Sequence, residues 1–308
     1  MSLSYAIALL IGPKDLEITR SQDLIDSVAY HEPTPCKVAV VDDCPTPRDL
    51  SKRLRFPPHL TPAFLRFDRP KVGFKEAKGV AGNSMMAFQW IARHAPDARF
   101  GMKLDTDALA IGPFAERLAR AFDADPSIGA LGAYTRTPEG HERDISRNAR
   151  LMRELHRPPL RLSGGPRGMW RTIKRRFGGG DPLKIRNHIA EALANGYVYG
   201  ENCLGGAYAM SRESLAEMRR RGYLDDHRLW TPVDVPEEVM MCMYVRATGK
   251  RLQNFVDRGE VFGVRFVGLP FDLPELVERG YSLIHSVKND ARHDESAVRA
   301  FFKARRGS

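Results

Sequence analysis

The sequence predicts an α/β fold: a mixed, mostly parallel sheet flanked by helices, carrying a basic insertion. Three observations predict it. The apolar run Tyr5 to Ile11 and the β-branched run Lys37 to Val41 bracket a stretch of helical spacing, the β-α-β opening of a parallel sheet. Strand-like and helix-like segments then keep alternating, except between Thr135 and about Gly196, where prolines, glycines and basic residues break the rhythm. Finally, 308 residues that are 43% hydrophobic and 28% charged can bury a large core without a disulfide or metal staple, which excludes disordered, collagen-like and coiled-coil chains.

In order along the chain, Ser21 to Tyr30 is helical, with Leu24, Ile25 and Val28 on one stripe. Lys37 to Val41 ends at Asp42-Asp43-Cys44-Pro45. Pro57-Pro58 to Pro70 reads as a turn-laden connection, and Lys75 to His94 as a helix with Met85, Met86, Phe88 and Ile91. Phe100 to Leu104 is a short strand broken by Asp105-Thr106-Asp107, and Ile128 to Tyr134 is another. The irregular stretch, punctuated by Pro158-Pro159, Gly164-Gly165-Pro166 and Gly178-Gly179-Gly180, leaves room for a short helix or two. A Gly205-Gly206 turn then precedes a strand at Ala207 to Met210 and a helix from Ser211. Pro236 opens a further helix at the first-turn position, where its missing N–H costs nothing, and Gly249 stops it. No internal repeat is present, and one expanded domain is expected.

The net charge is +10, and its location matters more than its size. Between Arg136 and Asn187 there are fourteen Lys/Arg against five Asp/Glu, so nearly all of the excess lies in the irregular stretch. That points to an anionic partner: a phospholipid surface, a phosphorylated acceptor or a nucleic acid. Tyr5 to Ile11 is far shorter than a spanning helix and lacks the flanks of a signal peptide, so a cytoplasmic protein is expected. Cys36, Cys44, Cys203 and Cys242 form no C-x-x-C pair and no zinc-ligand spacing, and read as reduced, mostly buried thiols. Neither a G-x-S-x-G elbow nor a Walker loop occurs.

Asp105 and Asp107 end a buried strand at the carboxyl edge of the sheet, where open α/β folds bind ligands. One carboxylate can hold a hard divalent cation while the other orients a ribose or a bound water, although a lone D-x-D is equally a solvated turn. Asp42-Asp43 ends a second strand at the same edge, and Glu237-Glu238 lies in the first turn of the Pro236 helix, where the macrodipole favours carboxylates whether or not they have a chemical role. His285 and Lys288, at the end of an apolar stretch, offer a metal ligand and a phosphate-binding ammonium, or else a solvated surface pair.

The order of these features resembles nucleotide-sugar-dependent glycosyltransferases of the GT-A (Rossmann-like) fold, family 2-like, with features of the fringe and β-1,3-galactosyltransferase branch. The similar segments are Val41-Asp42-Asp43, Lys78-Gly79-Val80-Ala81-Gly82-Asn83, Lys103-Leu104-Asp105-Thr106-Asp107, Gly205-Gly206-Ala207-Tyr208-Ala209-Met210-Ser211-Arg212, and Pro236-Glu237-Glu238-Val239 with Gly249-Lys250-Arg251-Leu252. They cover most of the chain outside the basic stretch.

The resemblance implies a metal-dependent, inverting transfer of a sugar from a nucleoside diphosphate, a uridine one by commonest expectation, to a hydroxyl acceptor on a glycan or lipid-linked saccharide. Asp107 and His285 would ligate Mn2+ or Mg2+, with Asp105 as a further ligand or on the ribose. Asp42, Asp43, Lys78, Asn83 and Lys288 would contact the nucleotide, and Gly205, Gly206 and Tyr208 the sugar and acceptor. The base position falls on Glu238, where the family usually has Asp, so Glu237 and Asp234 stay open as replacements; retention of configuration stays open too. The single domain then divides into a nucleotide-binding half, 1–135, a basic insertion, 136–196, and an acceptor-binding half with the metal and phosphate segment, 197–308.

Within this reading the insertion, with Arg171, Lys174, Arg175 and Arg176, is a lid, a contact for an anionic acceptor, or a peripheral anchor on the inner membrane surface. Two other functional classes are compatible with parts of the sequence. A nucleic-acid binder would use the basic stretch with Trp170 and Phe177, but leaves the acidic strand ends unexplained, so no nucleic-acid partner is expected. A catalytically silent nucleotide-sugar-binding scaffold would keep the fold and lose the chemistry at Glu238.

Overall fold

In a computed structural model of the chain, the described residues are 4–68, 71–72, 75–76, 80–157, 181–231 and 233–307. Their strands are β1 (Tyr5–Ile11), β2 (Cys36–Asp42), β3 (Leu60–Arg66), β4 (Lys71–Val72), β5 (Lys75–Glu76), β6 (Phe100–Asp105), β7 (Leu109–Ala110), β8 (Ile128–Gly132), β9 (Ala207–Ser211), β10 (Arg251–Asn254), β11 (Phe262–Val264) and β12 (Leu283–His285). Their helices are α1 (Asp15–His31), α2 (Val80–His94), α3 (Ala115–Ala124), α4 (Ser146–His156), α5 (Pro182–Ala194), α6 (Arg212–Arg220), α7 (Glu237–Ala247), α8 (Leu273–Glu278) and α9 (Glu295–Arg306).

Seven strands form one sheet in the order β10-β8-β9-β6-β1-β2-β3. Its side chains alternate between two cores, as the period of two requires. Tyr5, Ile7, Leu9 and Ile11 pack with Leu24, Ile25 and Val28 of α1 and with Leu118 and Phe122 of α3. Ala6 and Ala8 face Met85, Phe88 and Ile91 of α2, in the core that also takes Leu215 of α6 and Val239 to Val245 of α7. Burial on both faces is why β1 reads as an unbroken apolar run. This is the mixed, mostly parallel, helix-flanked sheet expected of the GT-A, Rossmann-like class.

Two reversals in this architecture position the functional residues. β9 runs antiparallel to both β6 and β8, pairing Leu104 with Ala207 and Lys103 with Tyr208, so the Gly205-Gly206 turn that precedes it lies beside the carboxyl end of β6. A second, three-stranded sheet, β11-β12-β7, pairs Leu283 with Ala110 and Ile284 with Leu109, which carries His285 to the loop after Asp105.

Several elements differ from expectation. The Pro57-to-Pro70 stretch contains β3, parallel to β2 with Val38 opposite Pro62; β3 is the sheet's edge, where proline is tolerated. The Lys75-to-His94 helix begins only at Val80, and Lys75–Glu76 pairs with Lys71–Val72 as a two-stranded ribbon. Pro236 caps α7 rather than opening its first turn: its φ of −57° fits a helix and its ψ of 140° does not. The basic stretch supplies α4 and α5, whereas Trp170, Arg171, Lys174, Arg175, Arg176 and Phe177 lie outside the described residues, as does Lys78. Among the described residues no helix is long and apolar enough to cross a membrane.

Candidate active site

The carboxyl ends of β6 and β12 meet at the acidic loop. Asp107 is 1% exposed, and each of its oxygens is engaged. Oδ2 accepts a hydrogen bond from Ser286 Oγ at 2.6 Å and faces Lys288 Nζ at 3.3 Å, while Oδ1 lies 3.3 Å from His285 Nε2. Burial alone would raise this carboxyl, but His285, Ser286 and Lys288 outweigh it and hold Asp107 well below the usual carboxylate range. Burial likewise works against charge on His285, and Asp107 outweighs it, so the imidazole is pushed up. Asp105 Oδ2 is 3.7 Å from the same Nε2.

These residues fit a divalent cation. One ligand atom from each of Asp105, Asp107 and His285 lies within 4.8 Å of the others, and two carboxylates with one imidazole suit Mn2+ or Mg2+. The Nδ1 of His285 hydrogen-bonds to the Arg265 carbonyl at 2.8 Å, which fixes the ring and leaves Nε2 facing the carboxylates.

Lys103 links this cluster to α7. Its ammonium, buried in the middle of β6, reaches Asp105 Oδ1 at 2.8 Å, the Gly205 carbonyl at 2.8 Å and Glu237 Oε1. One hydrogen bond, to the Gly205 carbonyl, and two ion pairs surround it. Burial opposes its charge, but Asp105, Glu237 and Glu238 together push its pKa above the ordinary lysine value. Glu237, 4% exposed, also accepts from the Tyr208 hydroxyl at 3.0 Å, so Tyr208 supports this carboxylate from within the core. Burial raises the Glu237 carboxyl despite Lys103.

Glu238 is half-buried on the next position of α7, its carboxylate against the Gly205 turn. A Cβ at Gly205 would sit 3.0 Å from Glu238 Cδ, and one at Gly206 would sit 2.1 Å from His285 Nδ1. The two glycines therefore let the carboxylate and the imidazole approach the same turn from two sides. Burial and the neighbouring Glu237 push Glu238 up to about 7, where a carboxylate is poised to exchange a proton near neutral pH.

The remaining expected residues are more dispersed. Asp42 is buried and ion-paired with Arg48, and accepts from the Cys44 N–H at 3.0 Å, so its charge is already neutralised. Asp43 is the more exposed of the pair and accepts from Asn83 Nδ2 at 2.6 Å, which joins the end of β2 to the start of α2. Asp234 is exposed, two residues ahead of the α7 cap.

Sequence reasoning assigned no role to Lys103, Ser286 or Arg143. For Lys103 a signal existed, since a lysine inside a strand as apolar as Phe100–Leu104 is rarely buried without a paired acid. A cavity of about 680 Å³ lined by Ile91, Ala95, Phe100, Leu215 and Ala216 lies at the opposite, amino-terminal end of β6 and takes no part in this cluster.

No family model and no curated protein matches the sequence. Among solved structures the chain is similar to an apo WbbM bifunctional glycosyltransferase, with 11% identity and a TM-score of 0.47. The match covers 95% of this chain and 46% of the other, so the chain spans less than half the length of that neighbour.

Proposed function

We propose that the chain is a metal-dependent glycosyltransferase that moves a sugar from a nucleoside diphosphate to a hydroxyl acceptor. One observation carries this reading: the Asp105–Asp107–His285 cluster and the α7 carboxylates converge on the two sides of the Gly205-Gly206 turn, at the carboxyl edge of a mostly parallel sheet. Asp107, His285 and Asp105 would hold a divalent ion, which would supply positive charge against the departing diphosphate.

The chain's own residues do the rest. Lys288, half-exposed beside Asp107, is free on its solvent side to meet a phosphate oxygen. Asp43, oriented by the buried Asn83, presents a carboxylate at the end of β2 for the nucleoside. Glu238 takes the acceptor hydroxyl proton, and Glu237, locked by Lys103 and Tyr208, raises its basicity and stays in place. That arrangement favours Glu238 over Glu237 and Asp234 as the base, and direct displacement by an activated hydroxyl inverts the sugar.

Calorimetric titration of uridine and guanosine diphosphates, with manganese and with chelator, tests the donor site. Binding of one nucleotide that needs both manganese and Asp107, and is lost in Asp107→Asn, is the expected result. Binding of neither, or binding indifferent to both manganese and Asp107, would sink the proposal. Donor binding with no transfer to any acceptor would leave a silent nucleotide-sugar-binding protein.

A further inference from the structure

Arg143 lies in the chain between β8 and α4 and is anchored in an unusual way. Its Nη1 donates to the carbonyls of Ala133 at 2.6 Å, Tyr134 at 2.8 Å and Asn202. Among the described residues no hydrogen bond and no carboxylate reaches its Nε or Nη2. Guanidinium groups nearby are neutralised: Arg136 by Asp257, Arg246 by Glu201 and Arg265 by Glu139. Arg143 is half-buried, and burial works against its charge; Cys203, Cys242 and Glu238 offset this in part. A guanidinium held rigid by one nitrogen, with the side-on Nε/Nη2 pair uncommitted, matches the two-point geometry of a phosphate or carboxylate.

Its place in the fold points the same way. Asn202, which Arg143 holds, begins the segment that ends at Gly205, against which the Glu238 carboxylate rests. The Cys203 N–H bonds to the Cys242 thiol one turn after Glu238, tying that segment to α7. Arg143 is therefore on the α7 side of the Gly205-Gly206 turn, away from the Asp107 cluster on the other. The adjoining helix α4 adds a field of the same sign, since Arg147, Arg150 and Arg153 have no ion pair among the described residues and Arg153 lies over the Tyr199 ring.

We propose that Arg143 binds an oxyanion of the acceptor, a phosphate or a carboxylate, through its Nε and Nη2, and so selects an acidic acceptor for Glu238. The word acceptor rests on the glycosyltransferase reading; the anion site itself does not.

The probes are glycerol 3-phosphate, glycerate and glycerol, titrated calorimetrically with chelator present so that no metal recruits the anion. One or both anions should bind, glycerol should not, and the better anion identifies the acceptor's group. Arg143→Met should weaken anion binding at least tenfold, and Arg143→Lys less. Manganese-dependent nucleotide binding should survive both. Because Arg143 also ties three carbonyls, the wild-type protein supplies a second readout: the Arg143 Nε–H resonance in arginine-labelled protein, assigned by its loss in Arg143→Lys, should shift saturably with the anion. Unchanged anion affinity in Arg143→Met, a resonance that does not move, or no anion binding at all would overturn the inference. If nucleotides bind as proposed while any of these is seen, the transferase stands and the anion site falls. Arg143-dependent anion binding without nucleotide binding gives the reverse.

Discussion

A methyl group added at Gly206 tests the proposed metal site without replacing any of the residues that would ligate the ion. In Gly206→Ala the new carbon would sit 2.1 Å from Nδ1, 2.3 Å from Cγ and 2.5 Å from Cε1 of His285. Non-bonded heavy atoms settle at about 3.5–4 Å, so the ring must retreat by roughly 1 Å or more. It has nowhere to go without loss, because Nδ1 is held by the Arg265 carbonyl at 2.8 Å and Nε2 faces Asp107 at 3.3 Å. Forcing the methyl in costs about 1–3 kcal/mol of stability. Losing the hydrogen bond that orients a ligating histidine costs about 10–100-fold in metal affinity. Electron paramagnetic resonance of free manganese during titration measures that affinity, and a thermal melt checks that the fold survives. Gly205→Ala is the control: its methyl meets the free end of the Glu238 side chain at 3.0 Å, which can turn away. Manganese affinity should be retained there while turnover falls. Equal manganese affinity in Gly206→Ala and wild type would refute the claim that His285 is a ligand held by this turn.

Two further outcomes follow from the charges around α7. Lys103→Met strands the buried Glu237 carboxylate, a loss of about 3–5 kcal/mol for a broken buried pair. Burial already raises the Glu237 carboxyl, so lower pH lets it take a proton and softens the loss; denaturant unfolding should show a larger deficit at pH 8 than at pH 5, and equal deficits would contradict the pairing. Glu238 must be ionised to act as a base, so turnover should rise with pH through about 7. Glu238→Gln should lower turnover by about 10²–10⁴-fold and abolish that limb, and a limb that persists would assign it elsewhere. The same raised pKa means the folded state holds its proton longer than the unfolded chain. Wild type should therefore lose stability relative to Glu238→Gln as pH climbs from about 4.5 to 7, by at most about 3 kcal/mol.

The parallel half of the sheet was legible because its residues obey one rule each. Tyr5–Ile11 is apolar on both faces, and Cys36–Asp42 is rich in valine and ends at the acidic pair Asp42-Asp43. Asp105, Asp107 and the Gly205-Gly206 turn were legible as a sequence pattern. That β9 reverses, and so brings the turn to Asp105, was not, since alternation along a strand carries no direction. β3 was hidden by Pro62 and by the prolines on either side of it, which mark turns far more often than edge strands. The meeting of His285 with Asp107 depends on β12 pairing with β7, two strands too short for any periodicity to announce. Arg143 was submerged in the charge of the basic stretch, and only its three carbonyl partners distinguish it from the arginines of α4.

Ser286 and Asp107 hydrogen-bond across a separation of 179 residues. At a synthesis rate of about 5–20 residues per second, roughly 10–35 s pass between the two leaving the ribosome. Throughout that interval the first half of the sheet can assemble, yet the buried aspartate has neither its histidine nor its lysine. A nascent or prematurely terminated chain thus lacks this cluster, and under the proposed function it would neither hold a cation there nor turn over a sugar donor before its last third has docked.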